Sequence, residues 1–142
     1  MTKVLVIEAR FYDDLNDMLL DGIGETLSAQ DVAYDVLTVP GALEVPAALN
    51  MAVKSIQDYD AYVVAGVIIR GETGHYDVVV NESARGVYDL VEKHQLALGN
   101  VILTVEDYAQ AEARANKAKK NKGGEAAEAA LRMLEIKRQY AV

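Results

Sequence analysis

From Arg70 to Asp77 the chain reads RGETGHYD, and this is where chemistry is most concentrated. His75 is one of two histidines. Imidazole titrates near neutral pH, so His75 is a candidate general acid/base; a surface or capping histidine at a helix start is the equally open alternative. Gly71-Glu72-Thr73-Gly74 could cradle an anion with loop N–H groups and the helix N-terminus that follows, or be a plain turn. It is not a dinucleotide fingerprint, and the chain has no P-loop. Glu72, His75 and Asp77 form a conceivable metal set, but no further His or Cys lies near them in sequence. Arg114 and Lys122 stand eight residues apart across a predicted helix end, as a phosphate clamp or as a solvated basic segment. Phe11, the only Phe, sits on a predicted loop. There it could stack on a flat ring or pack under the first helix.

These residues need a scaffold, and the apolar pattern supplies one. Lys3 to Ala9 (KVLVIEA) and the run beginning AYVVAGVII at Ala61 read as buried parallel strands, apolar on both faces. Val32 to Val39 and Val101 to Val105 read as two more, with Pro40-Gly41 and Gly99-Asn100 as turns. Leu15, Met18, Leu19, Ile23 and Leu27 mark a first helix, with Asp13 or Asp14 as its N-cap. Gly22 and Gly24 lower its propensity, which points to close packing there. A second helix spans Leu43 to about Ile56, with Pro46 tolerated in its first turn. A third runs from about Asp77 to His94 on Val79, Val80, Ala84, Val87, Leu90 and Val91. His94, late in that helix, reads as structural or solvated. A fourth helix follows Glu106-Asp107 through Ala111 and Arg114. The last opens at Gly123-Gly124, with Ala126, Ala130, Met133, Leu134 and Ile136 on its apolar side.

The order β-α-β-α-β-α-β-α-α predicts a parallel sheet with helices on both faces and right-handed crossovers. Four unusual groups then fall at strand carboxyl ends: Arg10-Phe11-Tyr12, Pro40 to Glu44, Arg70 to His75, and Glu106-Asp107. Such a sheet gathers them along one edge, where ligands of this class bind.

The 142 residues fit one domain, 1–142. A hydrophobic fraction of 51% and a charged fraction of 25% are those of a globular protein. The net charge of −8 argues against a general nucleic-acid or anionic-membrane binder. With no Cys there is no disulfide framework, thiolate nucleophile or zinc–cysteine site. The opening MTKVLVIEAR enters a strand pattern at once, with no signal-peptide layout, and no apolar stretch reaches the roughly 18 residues of a membrane helix. A cytoplasmic location is the default expectation.

With these residues in place the sequence closely resembles the lumazine synthases over nearly its whole length. The resemblance rests on Arg10-Phe11, PGALEVP (Pro40 to Pro46), GVIIRGETGHYD (Gly66 to Asp77) with Asn81-Glu82, LTVED with Gln110 and Arg114, and Asn121-Lys122-Gly123. It implies a flavodoxin-like α/β three-layer sandwich, a four-stranded parallel sheet of order 2-1-3-4 with helices on both faces. It implies condensation of 5-amino-6-(D-ribitylamino)uracil with 3,4-dihydroxy-2-butanone 4-phosphate, with no metal or organic cofactor. It further implies pentamers, or stacked pairs of them, with active sites between subunits, and riboflavin synthase as a candidate partner.

Carried over by position, Phe11 would stack on the pyrimidine, and Ala42 and Glu44, with Leu43 beside them, would hold the ribityl chain. The backbone of Val67, Ile68 and Ile69 would meet the uracil edge. Glu72, Thr73 and Arg114 would bind phosphate, and His75 would shuttle protons. Lys122 would reach the pyrimidine from the adjacent subunit, along with Arg114. The chain departs from the family in places. Tyr12 replaces a common Asn, Leu43 a usual Phe, and Asn100 an aromatic residue near the pyrimidine in many members. Asn116 to Lys120 lacks the glycine-bearing turn of members that build sixty-subunit shells, so a shell is not expected. The rival readings are a catalytically slack flavin- or riboflavin-binding module on the same fold and an α/β scaffold domain with merely structural loops.

Overall fold

The computed structural model describes residues 1–142. Its centre is formed by β1 (Lys3–Ala9) and β3 (Ala61–Ile69), flanked by β2 (Ala33–Val39) and β4 (Leu98–Val105). The sheet is parallel throughout, in the order β2-β1-β3-β4. This is the expected α/β three-layer architecture. The helices are α1 (Asp13–Ala29), α2 (Val45–Lys54), α3 (His75–His94), α4 (Tyr108–Ala115) and α5 (Lys122–Gln139), with a 3₁₀ turn over Ala42–Glu44 before α2.

Side chains alternate across a strand, and the two faces build separate cores. Val4 and Val6 of β1 pack with Leu15, Leu19, Ile23 and Leu27 of α1 and with α4 and α5. Leu5, Ile7 and Ala9 face the other way, into Val45 and Leu49 of α2 and Val87 of α3. The α1 stripe is thus the predicted one. Gly22 and Gly24 are buried, as close packing requires. Where α5 crosses α1, a Cβ on Gly123 would come 2.6 Å from the Leu19 carbonyl oxygen, so only glycine fits there.

Several boundaries differ from the sequence reading. Gly99-Asn100 is not a turn but lies inside β4, opposite Val63 and Val64. Glycine is needed there because α5 passes so close that a Cβ would overlap the Ala126 carbonyl. The chain reverses earlier, at Gln95, which ends α3 in the left-handed region (φ 50°). The N-cap of α1 is Tyr12, with no side-chain cap bond, while Asp13 and Asp14 lie in the first turn where their charge suits the helix dipole. Pro46 sits in the first turn of α2, which stops at Lys54 rather than near Ile56. Helix α3 starts at His75, two residues before the expected Asp77. Helix α5 starts at Lys122, capped by Asn121 (φ 47°), whose side-chain oxygen accepts the Gly124 N–H at 3.2 Å. Met133 is 42% exposed, because the buried stripe runs instead through Ala127, Leu131 and Leu134. No helix is long and apolar enough to cross a membrane.

Candidate functional site

The carboxyl ends of β1 and β3, the turn after β2 and the start of α3 enclose a cleft of 430 Å³. It brings together Phe11, the Ala42-Leu43-Glu44 turn, Val67 to Ile69, and His75. Tyr12 and Pro40, expected at this edge without an assigned contact, and Val79, expected only on the apolar face of α3, also line it. Phe11 is 73% exposed, so it does not pack under α1; its ring meets Tyr12 edge-on, with centroids 4.9 Å apart. Leu43 is also exposed, while Ala42 is buried.

The floor has a structural peculiarity. The last β1 partner on β3 is Gly66, opposite Ala9, yet β3 runs on to Ile69. Over Val67, Ile68 and Ile69 it pairs with β4 alone. Backbone next to the cleft is therefore not matched by a neighbouring β1 residue.

The remaining expected residues lie elsewhere. Arg114 and Lys122 line a second cleft of 340 Å³ with Asn100 and the rest of β4 up to Val105. Arg114 Nη1 donates to the Gln110 carbonyl at 3.0 Å, and Lys122 Nζ lies 3.2 Å from Glu125. Asn100 turns its oxygen back to accept the Ile102 N–H at 2.8 Å. The first cleft lies at the β1 and β3 ends beside α3; the second runs along the open edge of β4, whose residues Asn100 to Val105 all line it, beside α4 and α5, so the two are separate. Glu72 and Thr73 line neither cleft; they are exposed on the loop before α3, where Thr73 Oγ1 accepts the His75 N–H at 3.3 Å.

That loop is tied at its base by Arg70. Its Nε donates to Glu106 at 2.7 Å, a second nitrogen lies 3.7 Å from Asp77, and its guanidinium stacks 4.3 Å from the Tyr76 ring centroid. The bond to Glu106 raises the Arg70 pKa further. Arg70 thus links the ends of β3 and β4 to the start of α3. Glu72, His75 and Asp77 do not form a metal cluster, and no group of three or more His, Cys, Asp and Glu does. His94 sits at the opposite end of the sheet, beside Tyr62 and Lys137, with its Nε2 buried and unpartnered.

One element went unread in the sequence: Glu8, 2% exposed within β1. Its carboxylate accepts from Asn16 at 3.0 Å, Arg10 at 3.0 Å and Thr38 at 2.6 Å. Burial pushes its pKa up, but the hydrogen bonds from Arg10, Thr38 and Asn16 together outweigh that and hold it below the ordinary range. The signal was available: a lone carboxylate in an otherwise apolar strand, two residues before an arginine and so on the same strand face.

Together these features define an α/β protein with an aromatic, a carboxylate and an imidazole in a cleft at the carboxyl ends of its strands, and Arg114 and Lys122 in a second cleft along the β4 edge. The 6,7-dimethyl-8-ribityllumazine synthase family model matches residues 1–138, and the chain belongs to that family. It is 57% identical to 6,7-dimethyl-8-ribityllumazine synthase of Sphingopyxis alaskensis, over 100% of this chain and 99% of that one. It is 52% identical to 6,7-dimethyl-8-ribityllumazine synthase 1 of Rhizobium meliloti, over 96% and 92% of the two chains. The enzyme of that name from Nitrobacter hamburgensis is 51% identical, over 98% and 88%.

Proposed function

We propose that this chain, as one domain over residues 1–142, condenses 5-amino-6-(D-ribitylamino)uracil with 3,4-dihydroxy-2-butanone 4-phosphate. The products are 6,7-dimethyl-8-ribityllumazine, phosphate and two molecules of water, and the step is the penultimate one of riboflavin biosynthesis. The observation that carries the reading is the cleft holding Phe11, Glu44, the end of β3 and His75 in a chain of this family.

Phe11 offers its exposed face to the pyrimidine, and the backbone of Val67 to Ile69 meets the uracil edge. Ala42, Leu43 and Glu44 line the ribityl site, with the Glu44 carboxylate accepting from its hydroxyls. The substrate's primary amine attacks the ketone, so no protein nucleophile is required. Loss of water to a Schiff base, loss of phosphate, and ring closure by the ribitylamino nitrogen on the remaining carbonyl with loss of a second water all move protons, and His75 at the cleft wall is the group we assign to carry them. Phosphate is held by Arg114 and by Thr73. Glu72 contributes its N–H, because its carboxylate would repel the anion. Lys122 approaches the pyrimidine, and Asn100 lines the same wall.

Arg114 and Lys122, on α4 and α5, and Asn100, on the edge strand β4, share no cleft with His75, so each chain supplies two half-sites. A head-to-tail ring sets one subunit's β4 cleft against its neighbour's His75 cleft. The proposed assembly is a cytoplasmic pentamer, or two pentamers stacked, with riboflavin synthase as a candidate partner. Incubation of the pure protein with both substrates, followed by lumazine absorbance and fluorescence, tests the activity; no product would refute it. Light scattering during size-exclusion chromatography tests the ring: an active monomer, or a megadalton particle, would contradict the assembly.

A further inference from the structure

We propose that Glu8 and Arg10 form a clasp that positions Phe11 for the pyrimidine substrate, which makes both of them positioning residues for substrate affinity. The inference rests on the reading of Phe11 as the stacking residue.

A carboxylate inside a buried strand is costly unless its lone pairs are satisfied. An apolar side chain of similar volume would serve stability at least as well. What Glu8 supplies is direction. It sits opposite Thr38 in the β1–β2 register and takes that hydroxyl's hydrogen bond, so its own position is fixed by the sheet. Asn16 fixes its other oxygen from α1 and also donates to the Ala9 carbonyl at 3.0 Å. Glu8 then orients the Arg10 guanidinium through Nε at 3.0 Å.

Arg10 uses its remaining nitrogens on the start of α1. Nη1 donates to the Asp13 carbonyl and carboxylate, each at 3.1 Å, and Nη2 donates to Asp17 at 2.9 Å. Its backbone N–H donates to the Val39 carbonyl at 3.0 Å. Only Phe11 and Tyr12 lie between Arg10 and the first residue of α1, so both ends of this short link are pinned. Phe11 itself is 73% exposed and has an edge-on contact with Tyr12. A ring so exposed has little packing of its own to fix it, so its direction comes from the pinned backbone. Arg10 is absent from the cleft lining and acts through Phe11. A platform set before binding saves the cost of ordering it on binding.

The test is a double-mutant cycle on both Michaelis constants, with Arg10→Lys, Phe11→Ala and the pair. Lysine keeps the charge but loses the rigid fork that spans Glu8, Asp13 and Asp17. Arg10→Lys is expected to raise KM for the pyrimidine about 3–10-fold, the scale of one newly mobile side chain, and KM for the butanone phosphate less than about 2-fold. In the Phe11→Ala background it should add less than about 2-fold to the pyrimidine KM, because the ring it positions is gone. Additive effects, or equal rises for both substrates, overturn the clasp. So does an unchanged pyrimidine KM in Arg10→Lys when Phe11→Ala raises it; the stacking reading then survives alone. If Phe11→Ala leaves the pyrimidine KM unchanged, the stacking reading and the clasp fall together. Should Arg10→Lys not fold, the exposed Asp17→Asn takes its place in the cycle. It should move the pyrimidine KM in the same direction by less, at unchanged Tm, and additivity with Phe11→Ala overturns the proposal equally.

Discussion

A ring whose sites are shared between subunits should be rescued by mixing two inactive chains. His75→Ala damages the cleft at the ends of β1 and β3; Arg114→Ala damages the separate half-cleft along the β4 edge. Neither residue is in the core, so both variants should fold. Alone, His75→Ala should slow condensation by roughly 10²-fold or less, because general acid–base catalysis contributes about 10²–10⁴-fold and water replaces part of one shuttle. In a ring built from equal amounts of both, an intact site needs an Arg114→Ala subunit, whose His75 is present, facing a His75→Ala subunit, whose Arg114 is present. Random incorporation makes each of these half as frequent as all subunits, so about one quarter of sites are intact. Co-expression with two affinity tags and tandem purification gives the mixed ring. Measured at limiting butanone phosphate, where the Arg114→Ala KM defect is expressed, its activity per subunit should be about 25% of wild type, above the mean of the two parents. Activity equal to the mean of the two parents would refute the shared site, because a site within one chain is never restored by its neighbour.

The other expected outcomes concern single residues. Arg114→Ala should raise KM for the butanone phosphate much more than KM for the pyrimidine, measured by steady-state kinetics with each substrate varied, and Arg114→Lys should not restore it, since an ammonium lacks the two-point geometry. Gly99→Ala places a methyl group against the Ala126 carbonyl and should destabilise by about 1–3 kcal/mol, seen as a Tm lower by roughly 3–10 °C. Glu8→Gln should lower Tm at pH 7. Because the folded-state pKa of Glu8 is depressed, its contribution is present above the ordinary carboxylate value of 4.5 and is lost as pH falls through the folded value, so the two Tm curves should converge only on the acid side.

Much of the fold was legible because buried strands and amphipathic helices leave different periods in the sequence. The residues of β1 and β3 announced themselves by apolar runs, and the rule that ligands bind at strand carboxyl ends placed Phe11, Glu44 and His75 at one edge before any coordinates. Gly99-Asn100 failed for a physical reason. Glycine marks either a turn or a close approach of two backbones, and here α5 takes the space a Cβ would need. The true reversal at Gln95 adopts a positive φ with no glycine to signal it. The separation of Arg114 and Lys122 from His75 was equally hidden to local pattern. Which face of the sheet a helix covers follows from the crossovers, and the spacing of charged residues carries none of that.

The Asn116–Lys120 segment separates two arguments that the sequence had joined. Clustered lysines repel only while unpaired, and here Lys117 reaches Glu25 at 2.7 Å while Lys119 meets Glu112. Of the three, Lys120 alone has no acidic partner. The expected repulsion between rings is therefore largely cancelled within each chain, and what remains between exposed charges is screened beyond about 8 Å at physiological salt. The missing glycine is compensated as well. Asn116 accepts the Ala118, Lys119 and Asn121 N–H groups through its side chain and carbonyl, and Asn121 takes the left-handed conformation that its short polar side chain tolerates. Charge and strain within this turn therefore give no argument against a larger assembly. The closed ring is instead motivated by the two half-clefts, each of which holds groups that the other lacks.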